Sequence, residues 1–269
     1  QPGFGIWLSN FLEIFVDEEA NAELSAFIAE KIRDRVDDPV IAEKLIPTDH
    51  GFGTQRVPME TRYYEAYNRD NVTLVDVSET PIVEIEAAGI RTSAELYEFD
   101  IIIYATGFDA VDGNYTKIDL RGRGGESIKE HWKTGPTSYL GMTVSKFPNM
   151  FMILGPNGPF TNLPPSIETQ VEWIAECIGN VENAGADFVE ASPEAEAGWT
   201  ATCQEIADET LFSKGESWIF GANIPGKPNT VMFYMAGLGE YRKVLGNVTG
   251  NEYLGFDIKR SAQSNSGAP

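Results

Sequence analysis

Phe99-Asp-Ile-Ile-Ile-Tyr-Ala-Thr-Gly107 decides how this chain is read. A continuous apolar run ending in small residues predicts a strand buried on both faces of a parallel sheet. Ala105, Thr106 and Gly107 would let the backbone at its carboxyl end come close to a ligand or another segment. A second run, Met150-Phe-Met-Ile-Leu154, reads the same way and leads into Gly155-Pro-Asn-Gly-Pro-Phe160. Upstream of the first run, Asn71–Val77 and Pro81–Glu86 also read as strands, with turn residues between them.

Helical patterns flank these strands, which gives an α/β chain. Ala20, Leu24, Phe27, Ile28 and Ile32 recur at spacings of three and four, predicting a helix over 17–36 with acidic residues in its first turn. Asp38-Pro39 and Ser192-Pro193 each pair a capping side chain with a proline suited to the first helical position. They open helices towards Leu45 and Leu211. The apolar stripe Ile167, Val171, Ile174 and Ile178 predicts a helix over 166–179. Residues 47–62, with two prolines and two glycines, read as irregular, and the last dozen residues read as a frayed tail.

Bulk properties exclude several classes. The 269 residues carry 41 acidic and 20 basic side chains, a formal net charge of −21. Such a surface repels phosphate backbones, so no nucleic-acid partner is expected. No apolar run is long enough to span a bilayer, so no membrane partner is expected either. Cys177 and Cys203 are the only cysteines; two cysteines in so long a chain read as reduced thiols in a cytoplasmic protein. With His50 and His131 they offer no metal-ligand spacing. No serine stands in a G-x-S-x-G elbow, and no G-x-G-x-x-G follows a strand. Protein-only acid–base chemistry is thus poorly supported, and a bound cofactor is the better expectation.

The segment Leu154–Ser166 has the chemistry to receive one. A glycine- and proline-rich turn between a strand and a helix is expected to leave backbone N–H groups free beside a positive dipole end. An electron-rich ring edge, such as the pyrimidine side of a flavin, would be stabilised there. A rigid turn without a ligand fits the residues equally well.

Three blocks carry a resemblance. Asp100 through Tyr115, Leu154 through Glu168, and Ser217-Trp-Ile-Phe-Gly-Ala-Asn-Ile-Pro-Gly-Lys227 resemble, in this order, the Baeyer–Villiger monooxygenases of the cyclohexanone monooxygenase type, which are class B flavoprotein monooxygenases. The resemblance runs from about Phe4 to Ile258. It implies the carboxy-terminal half of a flavoprotein with two Rossmann-like dinucleotide-binding domains, one for FAD and one for NAD(P), and a helical insertion. Residues 1–62 would then end that insertion and its linker. Residues 63–108 would complete the NADPH-binding domain, and residues 109–269 the FAD-binding domain. The family's two G-x-G-x-x-G motifs and its F-x-G-x-x-x-H-x-x-x-W fingerprint would lie upstream, in an amino-terminal half expected as a partner.

The implied cofactors are FAD and NADPH, and the implied reaction turns a cyclic ketone and O2 into a lactone through a flavin 4a-peroxide. An arginine suits such chemistry, being always cationic and donating from a planar fork. By residue type Arg56 and Arg62 are equal candidates; the family's catalytic position, in the segment before a Tyr-Tyr pair, points to Arg56. Gln55 replaces a family lysine that helps bind the 2′-phosphate, and a neutral side chain offers no charge-assisted contact there. NADPH preference over NADH is left open by that exchange.

Trp218 corresponds to an indole that closes over the nicotinamide ribose on a mobile loop, where an ordinary buried aromatic is the alternative. Lys227 would assist the cofactor, a surface lysine being its alternative. Thr106, Gly107, Asp109, Asn157, Phe160 and Thr161 would line the cofactor. Phe4, Phe160, Leu163 and Phe233 would wall the substrate pocket. Two other readings stay open: a class B enzyme that oxygenates nitrogen or sulfur, and a truncated product unable to hold FAD.

Overall fold

A computed structural model describes residues 11–215 and 217–260. The chain divides into two compact units, one ending at Phe108 and the other beginning at Asp109.

In the first unit, α1 (Glu18–Arg33) starts where the sequence places its cap: the Asp17 carboxylate accepts from the Ala20 N–H. The Asp38 side chain likewise accepts from Val40 and Ile41 ahead of α2 (Pro39–Leu45). These caps satisfy donors that a helix start leaves without partners. Between the helices Ile32, Val36 and Ala42 form a small core, closed by Ile28, Ile41, Leu45, Ile46 and Tyr64. Arg35 ties the following segment to this core. Its guanidinium pairs with Glu60 and Glu65 and lies 5.0 Å from the Tyr64 ring centre.

Three short strands complete the unit: β1 (Ile82–Glu86), β2 (Gly89–Thr92) and β3 (Leu96–Glu98), an antiparallel meander in the order β1-β2-β3. Glu86 opposes Gly89, so the hairpin turns on two residues. A Cβ on Gly89 would stand 1.9 Å from the Tyr97 carbonyl oxygen, so only glycine fits that crossing.

The buried strand expected over 99–107 does not form. The segment is irregular, with Ile101 78% and Ile103 85% exposed. An apolar run becomes a central strand only when neighbouring strands satisfy its backbone and other layers cover its faces. Among the described residues no strand pairs with it. Asn71–Val77 likewise forms no strand; it begins in a turn closed by Val72 donating to Arg69.

The second unit is richer in helix. Single helical turns at Gly113–Thr116 and Ile128–His131 precede three long helices. These are α3 (Leu163–Asn183), α4 (Pro193–Asp208) and α5 (Gly237–Gly250). The Ser192 hydroxyl caps α4 by accepting from Ala195, as Ser192-Pro193 predicts. Two small sheets tie the helices together. β4 (Gly158–Pro159) pairs in parallel with β6 (Phe233–Tyr234), and β5 (Phe188–Ala191) pairs antiparallel with β7 (Phe256–Lys259).

Ile128, Trp132, Val144, Phe147 and Met152 form one core cluster. Elsewhere Trp199 of α4 stacks on Tyr234 at 4.8 Å, with Tyr241 of α5 alongside. The strand expected over 150–154 is also absent as a paired element. Met152 is buried and donates its N–H to Met142, but Leu154 has a φ of 55°, which ends any extended run. Both units mix helix and strand, as expected of an α/β chain, but the described strands form only these small sheets.

Candidate active site

The turn from Leu154 to Phe160 is built more tightly than the sequence suggests. Leu154 donates to the Gln170 side chain, Gly155 to Gly141, Asn157 to Met232, Gly158 to Gly155 and Phe160 to Tyr234. Pro156 and Pro159 have no N–H to give. Every N–H from Leu154 to Phe160 is therefore used within the chain, so the free N–H groups expected of Leu154–Ser166 are not found over 154–160. Asn157 is the reason the turn is rigid. Fully buried at a φ of 58°, it sends its side-chain amide to the Val231 carbonyl, and its own carbonyl accepts from the Trp199 indole. Asparagine tolerates that backbone region better than most residues.

The open donors lie one step further on, at the start of α3. Its N-cap, Asn162, makes no side-chain capping bond, and prolines occupy 164 and 165. Thr161, Asn162 and Leu163 are exposed. The positive end of a 21-residue helix dipole thus faces outward without a side chain neutralising it.

An aromatic wall adjoins this point. Phe160 is half-buried, with its ring 5.2 Å from Phe233 and 6.0 Å from Phe212. Trp218 meets Phe233 edge-on at 5.6 Å. Trp218 opens a short 3-10 turn to Phe220; the Ser217 hydroxyl caps it by accepting from Ile219. Gly221 closes the turn in the left-handed region at φ 80°.

Lys227 lies in the same unit as Asp109 and Asp112 and pairs with both carboxylates. Burial works hardest against its charge, yet the bonds to Asp109 and then Asp112 outweigh that and raise its pKa above the ordinary lysine value.

Arg56, Gln55, Thr106 and Gly107 belong to the first unit. Arg56 is exposed on an irregular segment and makes no ion pair among the described residues. Arg62, its competitor, is exposed at a φ of 58°. Gly107 has a φ of 82° with open space where a Cβ would stand, and Thr106 is exposed beside it. Phe4 lies outside the described residues.

A flavin is the group the resemblance implies, and the donor set tests it. The uncapped start of α3 beside an aromatic wall fits an electron-rich ring edge. No glycine-rich phosphate cradle accompanies it anywhere in the sequence. The fit is to the ring, not to the dinucleotide phosphates. Among the described residues no group of three His, Cys, Asp or Glu side chains could hold a metal ion. No helix there is long and apolar enough to cross a membrane.

One polar centre escaped sequence reasoning. Glu196, nearly fully buried on α4, accepts from the Thr137 hydroxyl, the Ser145 N–H and His131. The bond to Glu196 is the main cause that raises the His131 pKa above 6.5. Burial pushes the Glu196 carboxyl up, but its bonds to His131, Thr137 and Ser145 together hold it below its ordinary value. Its signal in the sequence is a carboxylate on the same helix face as Trp199, Cys203 and Ala207.

No family model matches the chain. Individual relatives do. A Baeyer-Villiger monooxygenase from Pseudooceanicola batsensis is 55% identical over 262 residues, covering 97% of this chain and 48% of the relative. A phenazine N-monooxygenase from Lysobacter antibioticus is 49% identical over 97% of this chain and 48% of its own length. The crystal structure of cyclohexanone monooxygenase from Rhodococcus sp. Phi1 bound to NADP+ superposes with a TM-score of 0.93 at 51% identity, covering 96% of this chain and 49% of that one. The chain spans about half the length of the curated relatives it matches. Over that span it is similar to the Baeyer–Villiger monooxygenases of the cyclohexanone monooxygenase type.

Proposed function

We propose that these residues form part of an FAD- and NADPH-dependent enzyme that inserts one atom of O2 beside the carbonyl of a small cyclic ketone. The observation that carries this reading is the uncapped N-terminus of α3 standing next to the Phe160–Phe233–Trp218 wall. The bound flavin supplies the oxygen-transfer chemistry, with NADPH as the source of its electrons. Residues 63–108 and 109–269 are assigned to the NADPH-binding and FAD-binding domains of a two-Rossmann flavoprotein, with residues 1–62 ending its helical insertion.

The chain's own residues then divide the work. The α3 dipole and the backbone at Thr161 favour negative charge at the ring edge. Phe160, Phe233 and Leu163 exclude water and hold an apolar ketone. Asn157 keeps the turn in shape from within, since its side chain is committed to Val231. Thr106 and Gly107 of the first unit, and Asp109 of the second, are assigned as cofactor contacts. Arg56 donates to the ketone oxygen and stabilises the charge that develops there. Its freedom from ion pairs among the described residues supports this role, because a guanidinium locked as Arg35 is could not turn to a substrate.

Arg56→Ala in the full protein tests the assignment. Flavin reduction by NADPH should persist while lactone formation falls by two to three orders of magnitude, the cost of losing one oxyanion donor. Normal lactone yield would show that another residue carries the role.

A second reading, oxygenation of nitrogen, is favoured by one observation, the N-monooxygenase at 49% identity. Offering cyclohexanone and a tertiary amine in parallel separates the two. A lactone as the main product supports the ketone reading, and an N-oxide alone supports the other.

A further inference from the structure

We propose that Lys227, Asp109 and Asp112 form a latch that seats the Trp218 loop, with Lys227 a positioning residue rather than a ligand of the dinucleotide. The proposal rests on the reading that this loop closes over the nicotinamide half of the cofactor. Lys227 is not presented to solvent: its side chain is 9% exposed, and that of Asp112 is 10% exposed. The ammonium lies 2.7 Å from Asp109 and closer still to Asp112. To reach a phosphate it would have to abandon two carboxylates in a largely dry site, a costly exchange.

The stem of Lys227 connects this ion triad to the indole. A Cβ placed on Gly221 would stand 3.2 Å from both Cδ and Cε of Lys227, so the lysine stem lies against the Gly221 backbone. Gly221 in turn donates its N–H to the Trp218 carbonyl and ends the turn that carries the indole. The loop folds back on that turn: Ile224 donates to Gly221, Lys227 to Ile224, Thr230 to Phe220 and Met232 to Ile219. At the other end, Asp112 leads into the helical turn Gly113–Thr116. Asp109 packs so closely on Gly113 that a Cβ there would meet its carboxyl carbon at 2.5 Å. The carboxylates are thus fixed by backbone, and the lysine draws the loop to them.

The triad also explains why two acids face one base. Removing the lysine leaves a nearly buried Asp112 and a half-buried Asp109 uncompensated, whereas removing one acid leaves a neutral pair. A residue that served only as a phosphate ligand would need neither acid.

Backbone hydrogen exchange on the full protein, with NADP+ affinity measured alongside, tests this. In Lys227→Met, amides at Gly221, Ile224 and Thr230 should exchange at least tenfold faster, while Tyr241 and Leu245 in α5 keep their rates. Asp109→Asn/Asp112→Asn should do the same and weaken NADP+ binding, and Lys227→Arg should recover most of the protection. If Lys227 were a direct ligand, the double Asn variant would free it: NADP+ would bind more tightly with loop exchange unchanged, which overturns the latch. Equal acceleration in α5 would also overturn it, by reducing the triad to general stability. Faster loop exchange with unchanged NADP+ affinity would uphold the latch and sink the loop's assignment to the nicotinamide.

Discussion

Asn157 shows what single residues reveal and conceal here. The sequence flags it as part of a Gly-Pro-Asn-Gly-Pro turn, and the family resemblance makes it a ligand candidate. Its burial and its bond to Val231 instead make it the peg of the turn. Asn157→Ala should cost on the order of 2–3 kcal/mol, because it strands a buried carbonyl and puts a less tolerant residue at positive φ. Urea unfolding would measure it; a loss below about 0.5 kcal/mol would contradict the peg. Arg56 is the opposite case. Its type and the Tyr-Tyr pair after it are legible in the sequence; that it makes no ion pair among the described residues, where Arg35 takes both Glu60 and Glu65, is not. Lys227 was legible as a member of its sequence block but not as a partner of Asp109 and Asp112, more than 100 positions away.

At the scale of elements, local signals were read where local physics decides. Asp17, Asp38 and Ser192 cap helices because each short polar side chain meets an N–H two or three residues on. The strands over 71–77, 99–107 and 150–154 were misread because burial depends on neighbours that a local pattern cannot supply. Helix α5 gave no signal, since it holds glycines at 237, 239, 246 and 250. Packing overrides that propensity, with Tyr241, Leu245 and Val248 all buried.

The contact between the Ile128–His131 turn and α4 makes a pH prediction. His131 has a raised pKa, so its contribution is complete below 6.5 and is lost as pH rises through the higher folded value. Glu196 has a lowered pKa, so its contribution is present above 4.5 and lost as pH falls through the lower folded value. The second unit should therefore lose stability as pH rises above 6.5, and His131→Gln should flatten that limb. Denaturant midpoints across pH check it; an unchanged slope in the variant would contradict the role of the pair.

At the scale of the whole molecule, the chain carries an uncapped helix start, an aromatic wall and a lysine paired with two carboxylates beside the Trp218 turn. It carries no glycine-rich grip for dinucleotide phosphates. Charge and composition make a nucleic-acid partner unexpected, but they do not locate any of these features. The 269 residues alone should thus retain no flavin and form no lactone, which an absorbance spectrum and product analysis would check; a yellow, lactone-forming preparation would contradict this. The reaction itself is best tested on the full protein supplied with NADPH, cyclohexanone and 18O2. Ketone, O2, NADPH and a proton should yield lactone, water and NADP+, with one labelled oxygen in the ring of each lactone. No lactone, or a lactone without label, would contradict Baeyer–Villiger oxidation at this site.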